Sequence, residues 1–215
     1  MTYALVVLSY VLGATPTSYW VGRAFHGVDL REHGSGNLGA TNAFRVLGWQ
    51  SALPVMVVDI AKGVLPVWLF PKLAPVSVEW VLAFGAAAIV GHVFSFWVGF
   101  KGGKGVATGA GVFMALAPVA VLGSFVVWLA LAFTTRIVSV ASMGAAATLP
   151  ILVALTAPRD DGNLSIWFAT TLGAFVIWAH RSNFRRLLKG EESRIGRSRG
   201  AAPEQAEETD GEEAP

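Results

Sequence analysis

Three stretches hold most of the side chains in this sequence that are able to handle an anion. Residues 31–45 read REHGSGNLGATNAFR, residues 91–109 read GHVFSFWVGFKGGKGVATG, and residues 179–192 read AHRSNFRRLLKGEE. In the first, Ser35, Asn37, Thr41 and Asn42 offer hydroxyl and amide contacts, and Arg45 offers a guanidinium able to grip a phosphate through two parallel hydrogen bonds. In the second, Gly102 and Gly103 lead into a helix expected near Val106, flanked by Lys101 and Lys104. Glycines allow close backbone approach, and a helix start points several free amides at one place, so this pattern predicts a phosphate seat. The third brings His180, Arg181 and Asn183 to the end of an apolar run, followed by Arg185 and Arg186. The chemistry these residue types suit is the handling of phosphate-bearing substrates, with His180 serving as a base or as a phosphate ligand.

Two familiar motifs are excluded. Gly34, Gly36 and Gly39 have the spacing G-x-G-x-x-G, but a dinucleotide turn needs a β-strand ahead of it, and here the preceding segment is an apolar helix candidate. FKGGKGVAT is not a Walker A loop, because Gly105 follows Lys104 where Ser or Thr is required.

The elements that must position these stretches are membrane helices. The chain is 54% hydrophobic and 14% charged, with a mean hydropathy of +0.57, values of an all-α integral membrane protein. Met1–Gly22, Trp80–Phe100, Gly105–Thr135, Ile137–Pro158 and Gly162–Ala179 contain no Asp, Glu, Lys or Arg, and each matches or exceeds the roughly 17–25 residues of a spanning helix. The first lacks the basic start of a cleaved signal and reads as a retained span. A further span over about Val46 to Phe70 carries Asp59 and Lys62, three residues apart on one helix face, where they can pair.

Six spans put both termini on one side and set the basic tail opposite the basic loops at Arg23–Arg45 and Lys101–Lys104, against the positive-inside bias. The 31-residue run Gly105–Thr135 would be roughly 46 Å as one helix, too long for a hydrocarbon core of ~30 Å, and Pro118 lies near its middle. Splitting it there gives seven spans, with the N-terminus outside and all three polar stretches, Arg136 and the C-terminus in the cytoplasm. Residues 1–196 form the expected membrane domain. Residues 197–215 form an acidic tail expected to be disordered: six acids fall between Glu204 and Glu213 with no base among them. The chain has no cysteine, so it has no disulfide and no thiolate nucleophile. The His and acidic residues show no metal-ligand spacing, no cofactor is implied, and nothing points to nucleic acid.

A Gly-rich turn or a basic helix end is ordinary in a membrane protein when it occurs alone. Three such stretches on one face define a site, with at least one substrate lipid-like. A carrier for an organic anion would use similar groups, but carriers place their sites near the midplane, whereas these stretches sit at helix ends.

Over residues 4–192 the chain resembles the bacterial acyl-phosphate:glycerol-3-phosphate acyltransferases, the PlsY family. The resemblance is carried by TSYWVGR, GSGNLGATNAFRVLG, GHVFSFWVGFKGGKGVAT and HRSNFRRLLKGEE, in that order and spacing. Leu38 departs from it, standing where the family more often has Pro. The resemblance implies transfer of a fatty acyl group from acyl phosphate to the 1-hydroxyl of sn-glycerol 3-phosphate, giving 1-acyl-sn-glycerol 3-phosphate (lysophosphatidate) and phosphate, the first acylation of phospholipid synthesis. It implies a multi-pass protein of the bacterial inner membrane with its site facing the cytoplasm. By motif match, Ser35, Arg45, Lys104, His180 and Asn183 become catalytic. Gly102 and Gly103 join Lys104 in the glycerol phosphate site, and Asn37, Thr41, His92, Ser142 and Glu191 follow as substrate-binding residues. No His is followed five positions later by Asp, so the His-x-x-x-x-Asp base of soluble-domain acyltransferases is missing. Ser35 either carries the acyl group or only hydrogen-bonds a phosphate; direct attack by the glycerol hydroxyl is favoured, because no base adjoins Ser35 in sequence.

Overall fold

A computed structural model describes residues 1–157 and 162–196; the acidic tail expected to be disordered lies outside the described residues. The regular elements of the described residues are all helices: α1 (Thr2–Ala14), α2 (Thr17–His26), α3 (Ala40–Leu47), α4 (Trp49–Leu73), α5 (Val78–Val93), a 3-10 turn at Phe96–Val98, α6 (Val106–Leu116), α7 (Pro118–Thr135), α8 (Val138–Thr156), α9 (Leu164–Ala179) and α10 (Arg181–Leu188).

Among the described residues, five segments are long and apolar enough to cross a membrane: Thr2–His26, Trp49–Leu73, Val78–Val98, Pro118–Thr135 and Val138–Thr156. Val106–Leu116 and Leu164–Ala179 are apolar but shorter. The run Gly105–Thr135 is divided where its proline stands, with Pro118 as the first residue of α7. A helix start has no use for the missing N–H, so the proline costs nothing there. Pro54, Pro66, Pro71 and Pro150, by contrast, lie inside helices that continue through them.

The first span is bent at Thr15–Pro16, where α1 gives way to α2. Backbone groups freed at such a break must find partners inside the membrane, and they do. Lys62 Nζ donates to the Thr15 carbonyl at 2.9 Å, and Ser95 Oγ donates to the Ala14 carbonyl. The span expected from Val46 begins at Trp49 instead. Gly48, at φ +80°, separates it from α3, a short helix within the first polar stretch.

Lipid offers no hydrophobic drive between helices, so close packing rests on small residues. α1 packs against α5, where a Cβ at Gly13 would run into the Ala88 carbonyl and one at Gly91 into that of Tyr10. α4 packs against α6 in the same way, through Gly63 on Thr108 and Gly111 on Ile60. The interior is filled by Phe84, Phe113, Val55, Val112 and Val153, while Leu122, Phe125, Val126, Phe133 and Leu155 face outward, as expected of a surface solvated by lipid.

Candidate active site

The first polar stretch is a turn built around Asn42. This buried amide donates from Nδ2 to the carbonyls of Leu30 (3.1 Å) and His33 (3.0 Å) and accepts the Ser35 backbone N–H at 2.8 Å. Gly34 and Gly36 take φ +64° and +70° here, and a Cβ on Gly34 would strike Asn42 Oδ1. At the turn's entry Arg31 Nη2 lies 2.6 Å from Asp29 Oδ2, and its hydrogen bonds hold the Asp29 carboxyl down at about 2. Ser18 Oγ donates to the Leu38 carbonyl at 2.6 Å, which fastens the turn to α2. Ser35, Thr41 and Arg45 are exposed, and their side chains make no hydrogen bond or ion pair with another described residue. Thr41 and Arg45 stand one turn apart on α3, on the same face.

Asn37 joins the first stretch to the second. Its Oδ1 accepts the Gly39 N–H at 2.9 Å, and its Nδ2 donates to the Gly102 carbonyl at 3.3 Å. The glycine loop differs from the sequence-based expectation in one respect. The amides of Gly102 and Gly103 do not face an open anion seat, because they donate to the carbonyls of Val93 (2.9 Å) and His92 (3.1 Å) at the end of α5. These glycines serve close approach: a Cβ on Gly103 would overlap the His92 ring. Lys104, the next residue, emerges from this clamp and donates to Asn183 Oδ1. Burial lowers the Lys104 ammonium to about 8. Arg186 and Arg45 repel it further, and Glu192 partly offsets them.

In the third stretch His180 and Asn183 are 4% and 7% exposed. The His180 Nδ1 lies 2.8 Å from the Val176 carbonyl, an atom that can only accept, so Nδ1 carries the proton and Nε2 the lone pair. Burial, with the Lys104 charge adding to it, pushes His180 down to about 4, so the ring is neutral at physiological pH. Asn183 Nδ2 donates to Glu192 Oε1 at 2.6 Å, Ser139 Oγ donates to the same oxygen at 2.8 Å, and Arg186 Nε donates to Oε2 at 2.7 Å. Burial raises the Glu192 carboxyl, but these three hydrogen bonds outweigh it and the net shift is downward.

The structure thus gathers Lys104, Asn183, His180 and Arg186 around Glu192, with Arg45 close enough to repel Lys104. Glu191 is exposed, and its neighbour Glu192 takes the central position. Ser142 is buried within α8 and accepts from Trp128 Nε1 at 3.3 Å; the serine that reaches the centre is Ser139, one turn earlier. Ser139 stands in no motif. The only sequence signal for it is its place at the head of a helix whose preceding turn, Arg136–Ile137, is basic. His92 lies beneath the glycine loop beside Asp59. Arg181 stacks over Trp178 at 4.1 Å, as an anchoring residue at a helix end does. Among the described residues no group of three His, Cys, Asp or Glu side chains is arranged to hold a metal.

The family model for glycerol-3-phosphate acyltransferase matches residues 3–190. The chain belongs to this family, the PlsY acyltransferases. It is 46% identical over 195 residues to the glycerol-3-phosphate acyltransferase of Synechococcus sp. (strain JA-3-3Ab), covering 90% of this chain and 93% of the relative. To the enzyme of the same name from Fusobacterium nucleatum subsp. nucleatum it is 41% identical over 193 residues, covering 90% and 97%. Among solved structures, the fold is similar to PlsY (YgiH), an integral membrane glycerol 3-phosphate acyltransferase, in its glycerol 3-phosphate form. The TM-score is 0.83 at 37% identity, over 91% of this chain and 96% of the other. The lysophosphatidic acid form of PlsY gives 0.81 at 35% identity, over 91% and 95%. The family assignment accounts for an integral membrane fold that collects its polar groups in three motifs.

Proposed function

We propose that this protein acylates the 1-hydroxyl of sn-glycerol 3-phosphate with acyl phosphate as donor, releasing 1-acyl-sn-glycerol 3-phosphate and inorganic phosphate. The observation that carries this reading is a concentration of positive charge: Lys104 is repelled by Arg186 and Arg45, and Glu192, itself paired with Arg186, offsets only part of that repulsion. Two phosphate-bearing substrates repel each other, and such an excess, held partly out of water, offsets that repulsion. The relatives' name and the solved PlsY forms with glycerol 3-phosphate and lysophosphatidic acid, which differ by one acyl chain, support the acceptor and the product.

In this reading Lys104 and Arg45 hold substrate phosphates, and Asn183 orients Lys104. The glycerol oxygen attacks the acyl carbonyl carbon, the bond from that carbon to the phosphate oxygen breaks, and phosphate leaves with the bonding pair. The hydroxyl proton passes to His180 Nε2 or to a substrate phosphate oxygen. Ser35 hydrogen-bonds a phosphate rather than carrying the acyl group, a reading supported by the absence, among the described residues, of a base bonded to its hydroxyl. Thr41 and Asn37 line the approach from the first stretch.

We place the site at the cytoplasmic surface of the bacterial inner membrane. Seven crossings, with α6 and α9 as short ones, put the N-terminus outside and the basic α10 inside, in keeping with the positive-inside bias. The test is an assay of purified protein in lipid with labelled glycerol 3-phosphate and palmitoyl phosphate, run beside acyl-CoA and acyl-carrier protein. The reading expects labelled lysophosphatidate from palmitoyl phosphate alone; equal product from a thioester donor would refute the donor assignment.

A further inference from the structure

Beneath the Lys104 loop lies a second charged cluster that the proposed chemistry leaves unused. On α4, Lys62 Nζ and Asp59 Oδ1 lie 2.8 Å apart with side chains 6% and 2% exposed, and His92 Nδ1 lies 3.8 Å from the same Asp59 oxygen. A small cavity runs between these three side chains, Thr15, Gly102 and Gly103. An ion pair at membrane depth is costly unless its groups find partners; here the Lys62 ammonium lies against Asp59 and bonds a carbonyl, while Asp59 Oδ1 meets that charge without accepting a hydrogen bond from the described residues. Lys62 bonds the Thr15 carbonyl at the α1–α2 break, Asp59 supports the Lys62 ammonium, and His92 at the end of α5 faces Asp59 from one side and the glycine loop from the other.

His92 grips that loop twice. Its carbonyl accepts the Gly103 N–H at 3.1 Å, and its ring fills the space that a Gly103 side chain would need. The first stretch bears on the same place, because Asn37 reaches the Gly102 carbonyl, and Ser18, just past the break that Lys62 ties, holds Leu38. We propose that the Asp59–Lys62–His92 cluster is a positioning device for the phosphate-binding cation. It fixes the His92 ring as the floor under Gly102 and Gly103, and that floor sets where Lys104 points. His92 then touches no substrate and acts through Lys104, which revises its expected role as a substrate-binding residue. The proposal rests on the reading of Lys104 as a phosphate ligand.

The test is a double-mutant cycle on the full chain in detergent, with His92→Ala, Lys104→Ala and the pair, measuring KM and kcat for glycerol 3-phosphate with palmitoyl phosphate. A positioning role expects His92→Ala to lower kcat/KM by about 10- to 100-fold, the scale of a misplacement of about 1 Å, with the loss falling on KM. It further expects no added loss when Lys104 is already Ala. The same fold loss from His92→Ala in both backgrounds would overturn the proposal, since a merely structural role survives the removal of Lys104. An unchanged KM in Lys104→Ala alone would instead remove the reading of Lys104, and the proposal with it. Should His92→Ala fail to fold, Gly103→Ala, which leaves the Asp59–Lys62 pair and the His92 side chain present, repeats the cycle. Its side chain collides with the His92 ring, so a KM rise that vanishes with Lys104→Ala supports the proposal, and an additive loss overturns it.

Discussion

The Lys104 cluster and the Lys62 cluster are built from the same residue types, a lysine, a carboxylate and a histidine, yet they differ in balance. Around Lys62 the charges cancel: one ammonium meets one carboxylate at 2.8 Å and also donates to a carbonyl. Around Lys104 they do not, because Glu192, already bonded by Asn183, Ser139 and Arg186, offsets only part of the repulsion that Lys104 meets from Arg186 and Arg45. A balanced buried cluster holds helices in place. An unbalanced one leaves positive charge that an anion would neutralise.

That contrast can be broken or sharpened by experiment. The largest effect is expected from Asp59→Ala, which leaves Lys62 buried and unpaired; losses of this kind are about 3–5 kcal/mol, and a thermal melt in detergent should show a large fall in midpoint. Lys104→Ala should leave that midpoint unchanged or raised, since it removes a cation that its neighbours repel; a fall equal to that of Asp59→Ala would erase the distinction between the clusters. The pH dependence follows from the same imbalance. Lys104 sits at about 8 in the free protein, so it loses its charge as pH rises through that value, and KM for glycerol 3-phosphate should climb above pH 8. His180, at about 4, is neutral throughout that range and should contribute a fall in rate only as pH drops toward 4. A KM flat between pH 7 and 9.5 would contradict the first half. The smallest effect is expected at Glu191. Glu191→Gln, on an exposed side chain, should change kcat/KM by no more than about twofold, while Glu192→Gln, which weakens the Arg186 pairing, should change it measurably more; comparable effects at both positions would move the centre of the site.

Much of the fold was legible because its signals are local. Apolar runs marked the helices, Pro118 marked the break between α6 and α7, and the spacing of three placed Asp59 beside Lys62. The helix α3 was not legible: its eight residues follow a glycine-rich turn, and their polarity is that of a site-bearing segment rather than a span. The site shows the same division. Residue types and spacing brought out Lys104, His180, Asn183 and Arg45, whereas the partners that orient them depend on contacts far apart in sequence. Ser139 reaches Glu192 across 53 positions, and Glu192 rather than Glu191 turns inward because of how the chain leaves α10. The inward amides of Gly102 and Gly103 likewise follow from the way the loop folds onto α5, which no glycine pattern encodes.

The central claim is that the excess of positive charge around Lys104 holds the acceptor's phosphate. Its most direct test is the initial rate of Lys104→Ala against wild type at saturating palmitoyl phosphate, with glycerol 3-phosphate varied. Loss of a charge-assisted phosphate contact of about 1.5–3 kcal/mol should raise KM by roughly 10- to 100-fold in protein that melts as the wild type does. An unchanged KM in folded protein would place the phosphate elsewhere.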